Sequence, residues 1–164
     1  MTVSLEPGQL LILADPLPGW PQAQPPVCWK EIGEAEPVWH VSFPGSDLPD
    51  FDTDKPSDVS AMHPRFSGTV RYETVLRLPD DCGAILLKRI AGAVRVWVDG
   101  RPIGQRVTAP YRFEGLGAGS HRLTIEATNT LVFRHRDPLS FFAYIPPTGL
   151  TGPVTLLKKA TEEA

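Results

Sequence analysis

The chain has 164 residues, of which 41% are hydrophobic, and 16 Lys and Arg against 19 Asp and Glu leave a formal net charge of −3. That length suits one domain of ordinary size, the hydrophobic share argues against a disordered chain, and the charge balance lacks the dense basic face of a nucleic-acid binder. The 18 prolines and 14 glycines argue against long helices, and no apolar run approaches the roughly 18 residues of a membrane-spanning helix.

The opening MTVSLEPGQLLILADP has neither a basic n-region nor a long apolar core. It does not read as a secretory signal, and the expectation is a cytoplasmic protein or a segment of a longer exported one. Residues 1–60 are Pro-rich, with Pro16, Pro18, Pro21, Pro25 and Pro26 among them. Between the prolines lie short strand-like runs at Gln9–Leu13, Val27–Ile32 and Val38–Phe43. Pro donates nothing to a ladder, so these runs are expected as edge strands or extended cover. Trp20, Trp29 and Trp39 are expected to pin this segment to the core. Cys28 and Cys82 form no motif and are expected as buried free thiols rather than a disulfide.

Residues 44–60 read as a polar loop carrying Asp47, Asp50, Asp52, Asp54 and Asp58. Closely spaced oxygen ligands suit Ca²⁺, but the glycine hinge and closing Glu of an EF-hand are missing. The expectation is a solvated loop. From Phe66 the pattern tightens: Val70, Tyr72, Thr74, Leu76 and Leu78 alternate with Arg71, Glu73, Val75 and Arg77, a period of two. Ala84–Ile90 reads as a buried strand. Val94, Val96 and Val98 alternate with Arg95 and Trp97, so Trp97 stands out of phase and either stacks a ligand or packs on the outer face.

Asp99-Gly100 is a strong hairpin signal, because both central residues of a type I′ turn need positive φ. Its partner strand is expected at Arg101–Val107. His121–Thr128 alternates again, with Leu123, Ile125 and Ala127 inward. A last strand is expected at Val154–Leu157, and Leu156–Ala164 could frame one helical turn. Short strands spaced by turn residues, with no convincing helix, argue an all-β sandwich over residues 1–164.

Catalytic and cofactor motifs are absent. There is no Walker-type phosphate loop, no GxSxG and no HExxH. Gly115–Ser120 is glycine-rich, but a strand follows it where a phosphate site needs a helix. His40, His63, His121 and His135 share no zinc-like spacing. Glu73 and Glu126 read as outward, solvated strand positions. Sugars present apolar C–H faces and many hydroxyls, so the candidate binding residues are Tyr111 with Arg106 and Arg112, and the polar loop containing Arg134, His135 and Asp137.

A resemblance now appears. Phe66-Ser67-Gly68-Thr69-Val70-Arg71-Tyr72 resembles the entry strand of the galactose-binding-domain-like, jelly-roll domains attached to glycoside hydrolases, both of the family 2 type and of large α-L-rhamnosidase-like enzymes. Val94–Gly100 (VRVWVDG), Ala109-Pro110-Tyr111, Gly119–Ile125, Ala127–Leu131 and Thr148–Val154 are similar to the following motifs, in order. The likeness covers about residues 66–157. It implies a β-sandwich of that type and a non-catalytic carbohydrate-binding or accessory domain, with a glycoside hydrolase catalytic domain as partner. Asp99 replaces the family's usual Asn, which leaves the turn unchanged. The alternatives are a structural docking module that binds no sugar, or an enzyme acting on a glycan. No cofactor is expected, although a structural Ca²⁺ between the leader and the sheet fits a sandwich of this kind.

Overall fold

A computed structural model describes residues 27–131, 134–135 and 147–160. The expected strand at Gln9–Leu13, and Trp20 and Asp137, lie outside the described residues. Twelve strands and one helical turn follow in order among them: β1 (Trp29–Ala35), β2 (Trp39–Ser42), β3 (Phe51–Thr53), α1 (Val59–Met62), β4 (Thr69–Leu78), β5 (Ala84–Leu86), β6 (Ile90–Ala91), β7 (Ala93–Val98), β8 (Arg101–Arg106), β9 (Arg112–Glu114), β10 (Gly119–Thr128), β11 (Gly149–Leu150) and β12 (Val154–Lys159).

They form a six-stranded sheet in the order β3-β2-β4-β10-β7-β8, a four-stranded sheet in the order β1-β12-β5-β9, and the short pair β11-β6. Every pairing is antiparallel. The inner faces of the two large sheets meet in one hydrophobic core. Trp39, Val70, Tyr72, Val96, Leu123 and Ile125 come from the six-stranded sheet, and Ile85, Phe113, Val154 and Leu156 from the four-stranded one. This is the expected all-β sandwich.

The period-two reading of β4 and β10 holds in register: Tyr72 faces Ile125 and Val70 faces Ala127 across the ladder. All four are buried. Asp99 and Gly100 take φ of 51° and 78°, the left-handed values a type I′ turn needs. Trp39 sits in the core with its ring edge-on to Tyr72 at 6.1 Å.

Several expectations are corrected. β1 and β3 are edge strands, but β2 lies inside its sheet, between β3 and β4. It tolerates this because Pro37 and Pro44 flank it and leave its own N–H groups free to pair. The polar stretch 44–60 supplies β3 and the start of α1; Phe51 anchors β3 against Phe43, 6.2 Å between ring centroids. Ala84–Ile90 is broken, with β5 ending at Leu86 and β6 starting at Ile90 in a different sheet. The residues after Leu156 continue β12 to Lys159, because ladder partners at Trp29 and Lys30 hold them extended. Both cysteines are free, but Cys28 is exposed and only Cys82 is buried.

Candidate functional site

The ladders bring several loops to one end of the sandwich. Thr128 closes β10 opposite Thr69, where β4 begins, and opposite Ala93, where β7 begins. Arg106, the last residue of β8, pairs with Val94 beside it. The segments following β2, preceding β4, following β8 and following β10 therefore emerge together. Between the first two of these, with Arg134 from the last, lies an open groove of about 940 Å³.

The groove has a built floor. Phe43 meets Phe66 edge-on at 5.3 Å and the His63 ring at 6.0 Å. Asn129 fixes the wall. Its Oδ1 accepts the Gly68 N–H at 2.8 Å, and its Nδ2 donates to Phe66 O at 2.9 Å and to Thr148 Oγ1 at 3.1 Å. Asp58 caps α1, accepting from Ser60 N–H at 2.9 Å and from Thr148 N–H at 2.8 Å. Burial alone would raise the Asp58 pKa; the donors from Thr148 and Ser60 outweigh it and hold the carboxyl below its ordinary value.

The lining mixes chemistries. Arg65 and Arg134 supply guanidinium donors, Ser46 and Asp47 supply oxygens, and Leu48, Met62 and Phe66 supply apolar surface. Hydrogen-bonding groups therefore stand beside apolar patches in one groove.

The residues expected at a site from the sequence do not converge. Arg134 lines the groove, and His135 is exposed on the same turn, its N–H bonded to Leu131 O at 3.1 Å. Arg106 lies at the same end but on the far edge strand, its guanidinium 5.8 Å above the Phe113 ring and Nη1 donating to Gln105 O at 2.9 Å. Tyr111 is buried, and its hydroxyl donates to Gly92 O at 3.0 Å. Its ring is a core element rather than a stacking platform. Arg112 is in β9 of the other sheet, where Nε donates to Glu114 at 3.1 Å and the guanidinium lies 5.8 Å from the Trp29 ring. His63 and Arg65 also line the groove, and no binding motif marks them in the sequence. They belong to the run Met62–Phe66, where mixed polar and apolar residues with Pro64 interrupt the chain just ahead of an entry strand.

The acidic loop does not gather a cation cradle. Asp50 and Asp52 flank His40, at 3.8 and 2.8 Å, Asp47 lines the groove, and Asp58 caps α1. Among the described residues no three carboxylate, imidazole or thiol groups come together as metal ligands.

No protein-family profile and no curated protein sequence matches the chain. Solved structures do. A rhamnosidase from Novosphingobium sp. PP1Y superposes with a TM-score of 0.66 at 23% identity, over 84% of this chain and 16% of that one. A GH2 β-galacturonidase from Eisenbergiella tayi gives 0.53 at 20% identity, over 82% and 25%. A β-glucuronidase from Ruminococcus gnavus, in complex with D-glucaro 1,5-lactone, gives 0.56 at 14% identity, over 85% and 31%. The chain is thus similar to one part of each of these longer chains, and its fold is the galactose-binding-like β-sandwich.

Proposed function

We propose that this chain is a non-catalytic accessory domain of a glycoside hydrolase and that it contacts carbohydrate in the end groove. The carrying observation is the groove itself: guanidinium donors, oxygen acceptors and apolar side chains share one open site of about 940 Å³. Among its described lining residues Asp47 is the one carboxylate, whereas glycoside cleavage ordinarily needs two carboxyl groups roughly 5–10 Å apart. That favours contact over hydrolysis. The partial match to glycoside hydrolase chains supports the enzyme context.

The test is a thermal-shift and calorimetric titration of the full chain against mono- and oligosaccharides. A sugar at about ten times its Kd stabilises the fold by roughly 1.4 kcal/mol, a rise of about 3–6 °C for a domain of this size. The double variant R65A/R134A is expected to keep the wild-type melting temperature in the absence of sugar and to weaken binding about tenfold. A flat response to every sugar overturns the reading.

One observation favours a second reading, a docking module that binds no sugar. Val38 and Val75 are each 63% exposed, and Thr74 Oγ1 donates to Val38 O at 2.8 Å, so the two valines flank one point on the sheet. In that reading V38D/V75D leaves the isolated domain folded but separates it from a catalytic domain encoded in the same reading frame.

A further inference from the structure

The outer face of the six-stranded sheet presents an aromatic ring that lies outside the hydrophobic core. Val94 and Val96 are fully buried on the inner face of β7. Trp97 points the other way and is half-buried. A register shift between Val96 and Trp97 sets Trp97 opposite Pro102 on the edge strand β8. The ring is part of a cleft of about 330 Å³ that also includes Arg95, Pro102, Ile103, Gly104 and Gln105. That volume is at the lower bound of small-molecule sites, near 300 Å³.

Polar groups stand beside the ring. Arg95 is two residues from Trp97 and so on the same face, with Gln105 opposite it in the ladder. Its other neighbour, Glu126, is already engaged by Arg71, whose Nη2 is 2.7 Å from Glu126 Oε1. One carboxylate therefore stands between two guanidinium groups, and Arg95 has no ion-pair partner among the described residues. Gln105 adds both a donor and an acceptor. Pro102 has no N–H, which disfavours an added strand along this stretch of the edge. What fits here binds through the side chains.

We propose that Trp97, Arg95 and Gln105 form a second carbohydrate site, which takes one pyranose ring of an oligosaccharide. The ring's C–H face stacks on the indole, and its hydroxyls bond to Arg95 and Gln105. The site rests on the reading of this domain as carbohydrate-contacting, but it is distinct from the end groove.

The experiment follows tryptophan fluorescence and melting temperature together while the full chain is titrated with cellopentaose, xylopentaose and pentameric arabinan and rhamnogalacturonan fragments. The expected result is a saturable fluorescence change with one of these. W97A should weaken that binding at least tenfold, W97F should hold it within about threefold, and R65A/R134A should leave the fluorescence change in place. W97A should melt within a few degrees of wild type, since its ring is outside the core. A thermal shift that persists with unchanged affinity in W97A overturns the Trp97 site and leaves the groove reading standing. Fluorescence and melting temperature both unmoved by every oligosaccharide overturn both.

Discussion

Asp99, in the turn between β7 and β8, clasps His121 of the neighbouring strand β10. The Asp99 Oδ2 lies 2.7 Å from His121 Nδ1, and its Oδ1 accepts the Arg122 N–H at 2.9 Å. The other ring nitrogen, Nε2, faces Gly117 O at 3.1 Å and Ala118 O at 3.3 Å. Both imidazole nitrogens therefore meet acceptors, and only the doubly protonated ring can donate to both. The Asp99 hydrogen bond raises the His121 pKa. The His121 hydrogen bond and the Arg122 N–H lower that of Asp99.

A raised His pKa gives stability that is complete below the unfolded value, about 6.5, and is lost as pH rises through the folded value. The lowered Asp pKa gives stability present above about 3.9 and lost on acidification. Melting curves from pH 5 to pH 9 should show a fall in wild-type melting temperature above about pH 6.5. The difference between wild type and H121Q should shrink over the same range. A difference that is flat with pH would mean the clasp contributes nothing as an ion pair.

Tyr72 and Gly149 are a tighter constraint. The Tyr72 hydroxyl accepts the Leu150 N–H at 3.0 Å inside the core, and burial pushes its pKa up to about 12. A Cβ at Gly149 would land on that hydroxyl, and Gly149 holds φ of 88°. Y72F orphans a buried N–H and should cost about 1–3 kcal/mol, or roughly 2–12 °C. G149A adds a steric collision to a strained backbone and should be the more damaging of the two. Denaturant melts of both variants check the order.

What the sequence made legible has a physical pattern. β4, β7 and β10 lie in the six-stranded sheet with one face in the core, so burial alternates and the residues show it. β12 reads as a strand at Val154–Leu157, but those four residues are all buried and leave no period that places its end at Lys159. β3 is three residues long and exists because β2 is beside it, which local propensity does not encode. The described residues expected at a sugar site do not converge, and the reason is geometric. Tyr111 and Arg112 are neighbours in extended chain, so they point to opposite faces, and one entered the core. The groove draws on residues 44–48, 62–68 and 134, and of the residues expected to contact sugar only Arg134 lines it.

Asp58 ties the helical turn to the strand pair at the groove end. D58A removes the cap from Ser60 and strands the N–H of buried Thr148, which should cost about 2 kcal/mol. D58N keeps an acceptor and should cost less. Because the carboxyl titrates below its ordinary value, its contribution is present above about pH 3.9 and is lost as pH falls through the lower folded value. Acid-induced unfolding of wild type and D58N, compared below pH 4, should converge. Parallel acid transitions would show that the charge of Asp58 is irrelevant to the cap.

Asn129 joins stability to the groove. It makes one accepted and two donated side-chain hydrogen bonds, to Gly68, Phe66 and Thr148, and residues 66–68 line the groove. N129A should lower stability by about 1–3 kcal/mol. It should also weaken groove binding, because the Phe66 wall loses its anchor. N129D separates the roles: its carboxylate still accepts from Gly68 but cannot donate to Phe66 O. It should bind sugar in the groove as weakly as N129A while leaving the W97-dependent fluorescence change intact. Wild-type groove affinity in N129D would show that the Gly68 bond alone holds the wall.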